Sequence, residues 1–181
     1  MFYKTFLFIV FILLSSIGLT ASAGEFSPYV DKKGNISLPK NFELNMVHLG
    51  AWFVPSGGAS GFHSVFTTKD AVEYFQNQGH FPDGAVLIKE LRADIKKDYT
   101  TGSNVSFATD VKQWFVMVKD SKNRFNDHPN WGEGWGWALY KPDDPAKNLS
   151  TNYQTDCLGC HVPVKDKDWV YTEAYPVLFN K

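Results

Sequence analysis

The sequence has little sulfur and almost no net charge. Two cysteines in 181 residues exclude a disulfide-rich scaffold and a cysteine-only zinc site. A formal net charge of −1 leaves no electrostatic footprint for nucleic acid, so none is expected as a partner. There is no internal repeat, low-complexity tract or interdomain linker, and one domain is the default. What is present is globular in composition: 44% hydrophobic and 20% charged, too apolar for a disordered chain. Aromatic residues are plentiful, with 15 Phe, 8 Tyr and 6 Trp, which suits a chain wrapped around a large flat apolar object.

The N-terminus reads as an address. Lys4 precedes an apolar run over residues 6–14, then small residues and Ala21-Ser22-Ala23, the order of a secretory signal peptide. The run falls short of the roughly 20 residues a spanning helix needs. Residues 1–23 are therefore expected to be removed after Ala23, leaving 24–181 as one domain in a bacterial periplasm with no membrane attachment.

Residues 41–54 form a strand candidate that ends at Pro55 and Ser56-Gly57-Gly58, and 61–66 a second. Thr67 or Thr68 can cap a helix with Ala71, Val72 and Phe75 on one stripe and Gly79 as its stop. Phe81-Pro82-Asp83-Gly84 is a turn into a strand over 85–91, and 113–118 and 134–140 read as two more strands. A polar loop with His128-Pro129-Asn130 separates that last pair, and 153–161 reads as a helical turn. The class is α+β, β-dominated: a mostly antiparallel sheet with two or three short helices.

Cys157-Leu158-Gly159-Cys160-His161 is C-x-x-C-H, the attachment sequence of c-type haem. Two thiols at this spacing can each add to one haem vinyl group, and the following histidine then stands under the iron as its ligand. A thioredoxin-like pair would instead open a helix after a strand in a βαβ unit in the N-terminal half. Burying a macrocycle of several hundred square ångströms contributes on the order of 10 kcal/mol, which gives the aromatics a purpose. An electron carrier needs a second axial ligand, Met or His. The options are Met46, Met117, His48, His63, His80 and His128. Both methionines fall in apolar strand stretches, where Met usually fills core, and His128 reads as exposed. With the motif placed last, after a sheet, an open distal position is expected.

The run TDCLGCHVPVKDKDWVYTEAYPVL, with FHSVFT (62–67), FPDGAVLIKEL (81–91) and LPKNF (38–42), resembles the cytochrome P-460 family, which includes cytochrome c-prime-beta. The resemblance covers about residues 29–179. It implies a β-rich homodimer with one five-coordinate c-type haem per subunit, bound by Cys157, Cys160 and His161. In cytochrome P-460 proper a lysine is also cross-linked to a haem meso carbon, and the matching residue is Lys89. Lys89 shares its strand face with Ala85, Leu87 and Leu91, while Val86, Ile88 and Glu90 take the other. Periodicity leaves open which face meets the core; the resemblance favours an inward lysine.

His63 is the candidate proton donor or acceptor of the distal pocket. Glu133 is a weaker candidate for a pocket carboxylate. Glu90 reads as a surface partner, and Lys165 and Asp166 as possible borders of the pocket. The resemblance implies oxidation of hydroxylamine to nitrous oxide or nitric oxide, with electrons passed to a soluble acceptor such as another cytochrome. The alternative is a protein that captures nitric oxide without turnover, its pocket crowded by phenylalanines drawn from Phe62, Phe66, Phe75, Phe81 and Phe107. An electron carrier with Met46 or His48 as sixth ligand is the third option.

Overall fold

Apolar side chains at alternate positions, broken by glycine and polar turns, build antiparallel strands. In the computed structural model, which describes residues 26–179, these strands join in one six-stranded sheet. The signal-peptide reading of residues 1–23 lies outside the described residues. The strands are β1 (Val47–Val54), β2 (Gly61–Thr67), β3 (Val86–Tyr99), β4 (Gly102–Lys119), β5 (Trp131–Gly132) and β6 (Trp135–Tyr140). Their spatial order is β1-β2-β3-β4-β6-β5, with every neighbouring pair antiparallel. The helices are short: α1 (Phe42–Asn45), α2 (Lys69–Gln78), α3 (Tyr153–Asp156) and α4 (Leu158–His161), followed by three 3-10 turns down to Leu178. The β-dominated α+β class read from the sequence holds.

Helix α2 follows its sequence signals. The Thr68 hydroxyl accepts a hydrogen bond from the Ala71 amide at 3.3 Å, and Gly79 closes the helix at φ 77°. Two elements differ from expectation. The strand expected over 41–54 begins instead as α1, because Asn41 turns left-handed at φ 52° and Phe42 is drawn into the core, edge-on to Phe66 at 5.2 Å. Strands β3 and β4 also run well past residue 91 and begin well before residue 113. Arg92, Asp94, Lys96, Lys97 and Asp98 hide that extension from a hydrophobic pattern; the outer hairpin is held by backbone pairing and not by burial.

The register assembles two different faces. His63 lies opposite Leu91 and Leu91 opposite Gln113; Val65 lies opposite Lys89 and Lys89 opposite Phe115; Leu87 pairs with Met117 and Met117 with Trp137. Opposed residues share a face, so these side chains form one surface. It is covered by α2 and by the C-terminal turns, through Phe75, Val170, Tyr175 and Leu178. The other surface carries Val86, Ile88, Val116, Val118 and Tyr140, and is covered by the N-terminal segment with Ile36 and Phe42. The Tyr140 hydroxyl donates to Ile36 O at 2.5 Å and Trp131 Nε1 to Gly34 O at 2.7 Å, fastening that segment down.

The C-terminal turns lie directly on β1. A Cβ added at Gly50 would stand 1.8 Å from Ala174 O, so only glycine allows the approach. Lys119 Nζ pairs with Asp168 Oδ1 at 2.5 Å, and Trp135 Nε1 donates to Asp168 O at 3.0 Å. These contacts hang the tail on β4 and β6.

Candidate functional site

The motif is held from both ends. Asn152 caps α3 by accepting from the Gln154 amide at 2.9 Å. The Asp156 carboxylate accepts from the amides of Thr151 at 2.8 Å and Asn152 at 3.1 Å, and from Thr155 Oγ1 at 2.9 Å. Those bonds hold its pKa well below the usual carboxylate range, at about 2. The polar loop before β5 is the clamp: Tyr153 N donates to Pro129 O at 3.0 Å, and Asn130 Nδ2 to Ser150 O at 2.8 Å. Cys157 then sits at the break between α3 and α4, half-buried, with Cys160 and His161 in α4. Both thiols are free.

His161 is oriented by a backbone carbonyl. Its Nδ1 lies 2.7 Å from Trp169 O; a carbonyl only accepts, so Nδ1 carries the proton and Nε2 keeps its lone pair. Trp137 meets the ring edge-on at 4.9 Å and Tyr171 lies 6.0 Å away. Burial lowers the pKa of the imidazole, favouring the neutral form that a metal takes. The carbonyl comes into reach because Asp168 and Trp169 both turn left-handed, at φ 56° and 64°.

A cavity of about 310 Å³ separates this segment from the sheet. Cys157, Cys160, His161, Asp156 and Tyr171 form one wall; Leu87, Lys89, Leu91, Gln113, Phe115, Met117, Trp137 and His63 form the other. The size is that of a cofactor site. Lys89 Nζ sits 4.1 Å from the centroid of the Phe115 ring. Burial pushes its ammonium below the ordinary lysine value, against a smaller opposing pull from the Cys160 and Cys157 thiols. Sequence periodicity offered two faces of β3 as rivals for the core. The structure buries both, Val86 and Ile88 on one side and Leu87 and Leu91 on the other, as a central strand covered on two sides requires.

His63 is 4% exposed and stacks on Trp52 at 4.9 Å and 18°. Its Nε2 lies 2.8 Å from Ala59 O, and burial holds its pKa below the ordinary histidine value. Glu133 is not brought to the cavity: it is exposed in the turn between β5 and β6 at φ 58°, where the tight hairpin turns its residue outward. Glu90 is not on the surface either. It is 3% exposed on the opposite face, paired with Arg92 Nε at 2.5 Å and accepting from Trp114 Nε1 at 3.0 Å. Lys165 and Asp166 are exposed and outside the cavity.

Of the histidines and methionines considered as a second ligand, His63 and Met117 line the cavity; Met46, His48, His80 and His128 do not. None of the five phenylalanines considered as caps lines it, because Phe62 and Phe66 point elsewhere on β2, Phe75 and Phe81 pack under α2, and Phe107 lies on the outer hairpin. Phe115 takes that place. Gln113 and Phe115 were legible in principle, since they alternate with Met117 on β4; Trp52 and Asp156 needed the folded register.

Two thiols on one helical turn, an imidazole with a free Nε2 and an aromatic-lined slot form a donor set that fits a haem. The fold and site define a haem protein built on an antiparallel sheet. The cytochrome P460 family model matches residues 39–172, and the chain belongs to that family. It is therefore a haem cytochrome. No curated protein matches it.

Proposed function

We propose that the chain is an exported mono-haem c-type cytochrome that oxidises hydroxylamine to nitric oxide or nitrous oxide. The observation that carries this reading is the convergence of Lys89 and His63 on the cavity shared by Cys157, Cys160 and His161. When bound, the haem would supply an iron that accepts single electrons and can take a small ligand. Cys157 and Cys160 would hold it as thioethers, each S–H added across a vinyl double bond. His161 offers Nε2 to the iron, its basicity raised by the Nδ1–H bond to Trp169 O.

Lys89 Nζ would be the group placed to bond to the macrocycle, a C–N bond replacing one N–H and one ring C–H with two protons released and two electrons passed to the external acceptor; such a bond would remove the cost of a buried ammonium with only a ring for company. Conversion of hydroxylamine to nitric oxide releases three protons and three electrons. His63, a buried imidazole held below the ordinary histidine value, lines the cavity as the candidate proton acceptor. The electrons leave to a soluble acceptor such as another cytochrome, from a periplasmic homodimer. Simple nitric oxide capture is the weaker reading, because His63, Lys89 and Gln113 line the cavity where that function calls for crowded phenylalanine.

The optical spectrum of the reduced protein tests the assignment. A broad, strongly red-shifted Soret band is expected, together with an intact mass lower in hydrogen than a plain thioether adduct. Lys89→Ala is expected to return the band to an ordinary high-spin position. Hydroxylamine should reduce an added one-electron acceptor, with nitric oxide or nitrous oxide as product. Sharp low-spin bands, or no hydroxylamine-dependent reduction, would overturn the proposal.

A further inference from the structure

Two consecutive residues of the C-terminal segment, Asp168 and Trp169, hold left-handed backbone at φ 56° and 64°. Neither is glycine, and a bulky residue in that region persists only where its surroundings over-determine it. Here the sheet does so. The Asp168 carboxylate accepts from Lys119 Nζ at 2.5 Å and from Trp135 Nε1 at 3.3 Å, and the Asp168 carbonyl accepts from the same Nε1 at 3.0 Å. Trp169 N closes the turn by donating to Val164 O at 3.0 Å. The next carbonyl, Trp169 O, is the one that lies 2.7 Å from His161 Nδ1.

The two sheet donors are neighbours. Lys119 on β4 lies opposite Trp135 on β6, and its ammonium sits 4.8 Å from the centre of the indole. Trp135 is fully buried, and the Lys119 side chain is 13% exposed, against 53% for Lys167, whose ion pair with Glu173 belongs to the same tail. A pair of charges largely withdrawn from solvent escapes screening and holds one geometry. Trp137, two residues along β6 and on the same face, meets the His161 ring edge-on at 4.9 Å. Strand β6 thus locates the imidazole with one tryptophan and the carbonyl opposite its Nδ1 with another.

We propose that Lys119 and Asp168 are positioning residues for His161: their ion pair fixes the turn that aims Trp169 O at Nδ1, and so sets how strongly Nε2 donates. This rests on His161 as the iron ligand and is independent of the substrate. A hydrogen bond at the far nitrogen holds the ring in one tautomer and raises the basicity of the ligating one. Without the pair the carbonyl is released and Nε2 becomes a poorer donor, which stabilises oxidised iron less. A tether that only held the tail down would change stability and leave the ligand as it was.

The test is resonance Raman spectroscopy of the reduced, haem-loaded full chain, reading the iron–histidine stretch, together with a redox titration. Lys119→Met keeps a stem over Trp135 and removes the charge, and Asp168→Ala removes the carboxylate. Glu173→Gln, which breaks the other ion pair of the tail, is the control. The stretch is expected to move to lower frequency and the reduction potential to rise in the first two, with both parent-like in the control. Asp168→Asn tolerates a left-handed backbone and can still accept from Trp135; it should fall between the parent and Asp168→Ala, and it carries the test if the alanine variant does not fold. A parent-like stretch and potential in Lys119→Met, even with a lower melting temperature, would make the pair a tether and overturn the inference. An equal shift in Glu173→Gln would overturn it too. A parent with no such stretch sinks the proposed haem site and this inference together, whereas a parent that shows it, with unchanged variants, sinks this inference alone.

Discussion

Asp156 braces the turn beneath the paired cysteines with one carboxylate, accepting from two backbone amides and from Thr155. A carboxyl group held at about 2, below its ordinary 3.8, stabilises the fold above the ordinary value and loses that contribution as pH falls toward 2. Asp156→Asn is therefore expected to lower the melting temperature at neutral pH, with the gap to the parent closing between about pH 4 and pH 2; calorimetry across that range checks it. The candidate site residues were visible in the sequence in unequal degree. Cys157, Cys160 and His161 stand out because the C-x-x-C-H pattern is contiguous in the chain. Lys89 and His63 came through alternation and resemblance. Asp156 sits one place from the motif and went unread, since its role depends on residues 150–152 folding back over it. Glu133 was misplaced for the opposite reason: its place in the chain does not predict which way a left-handed turn residue points.

Sequence signals located elements where burial imposes a period and failed where it does not. Helix α2 has a cap, a stripe and a glycine stop, and folds as read. Strand β3 was legible over its buried part and invisible over its charged part, where hydrogen bonds to β4 sustain it. The expected strand over 41–54 lost its first turn to α1 because burying Phe42 favoured a bend. Contact between β1 and the C-terminal turns is the tightest packing constraint in the site's frame. Gly50→Ala is expected to cost about 1–3 kcal/mol, as overpacking against an unyielding carbonyl does, read as a lower denaturation midpoint with unchanged slope.

Across the whole molecule the sheet separates two clusters of buried side chains, and these differ in what completes them. The outer cluster, with Ile36, Phe42, Ile88, Val118 and Tyr140, is closed by side chains of the chain itself. The inner one shares its space with the cavity. The β-dominated outline was readable from composition and pattern; the strand order was not, because pairing depends on contacts between residues far apart in the chain. Stability should follow the clusters. Hydrogen exchange is expected to be slowest at the amides of residues 86–91 and 113–118, between both clusters, and far faster at 95–107 on the outer hairpin, where Ile95 and Tyr99 are exposed. All six strands precede the cysteine pair along the chain. Under the proposed export and haem attachment, the sheet wall of the cavity would be complete in the chain before Cys157 and Cys160 emerge, and maturation would be the closing of a door on a finished frame.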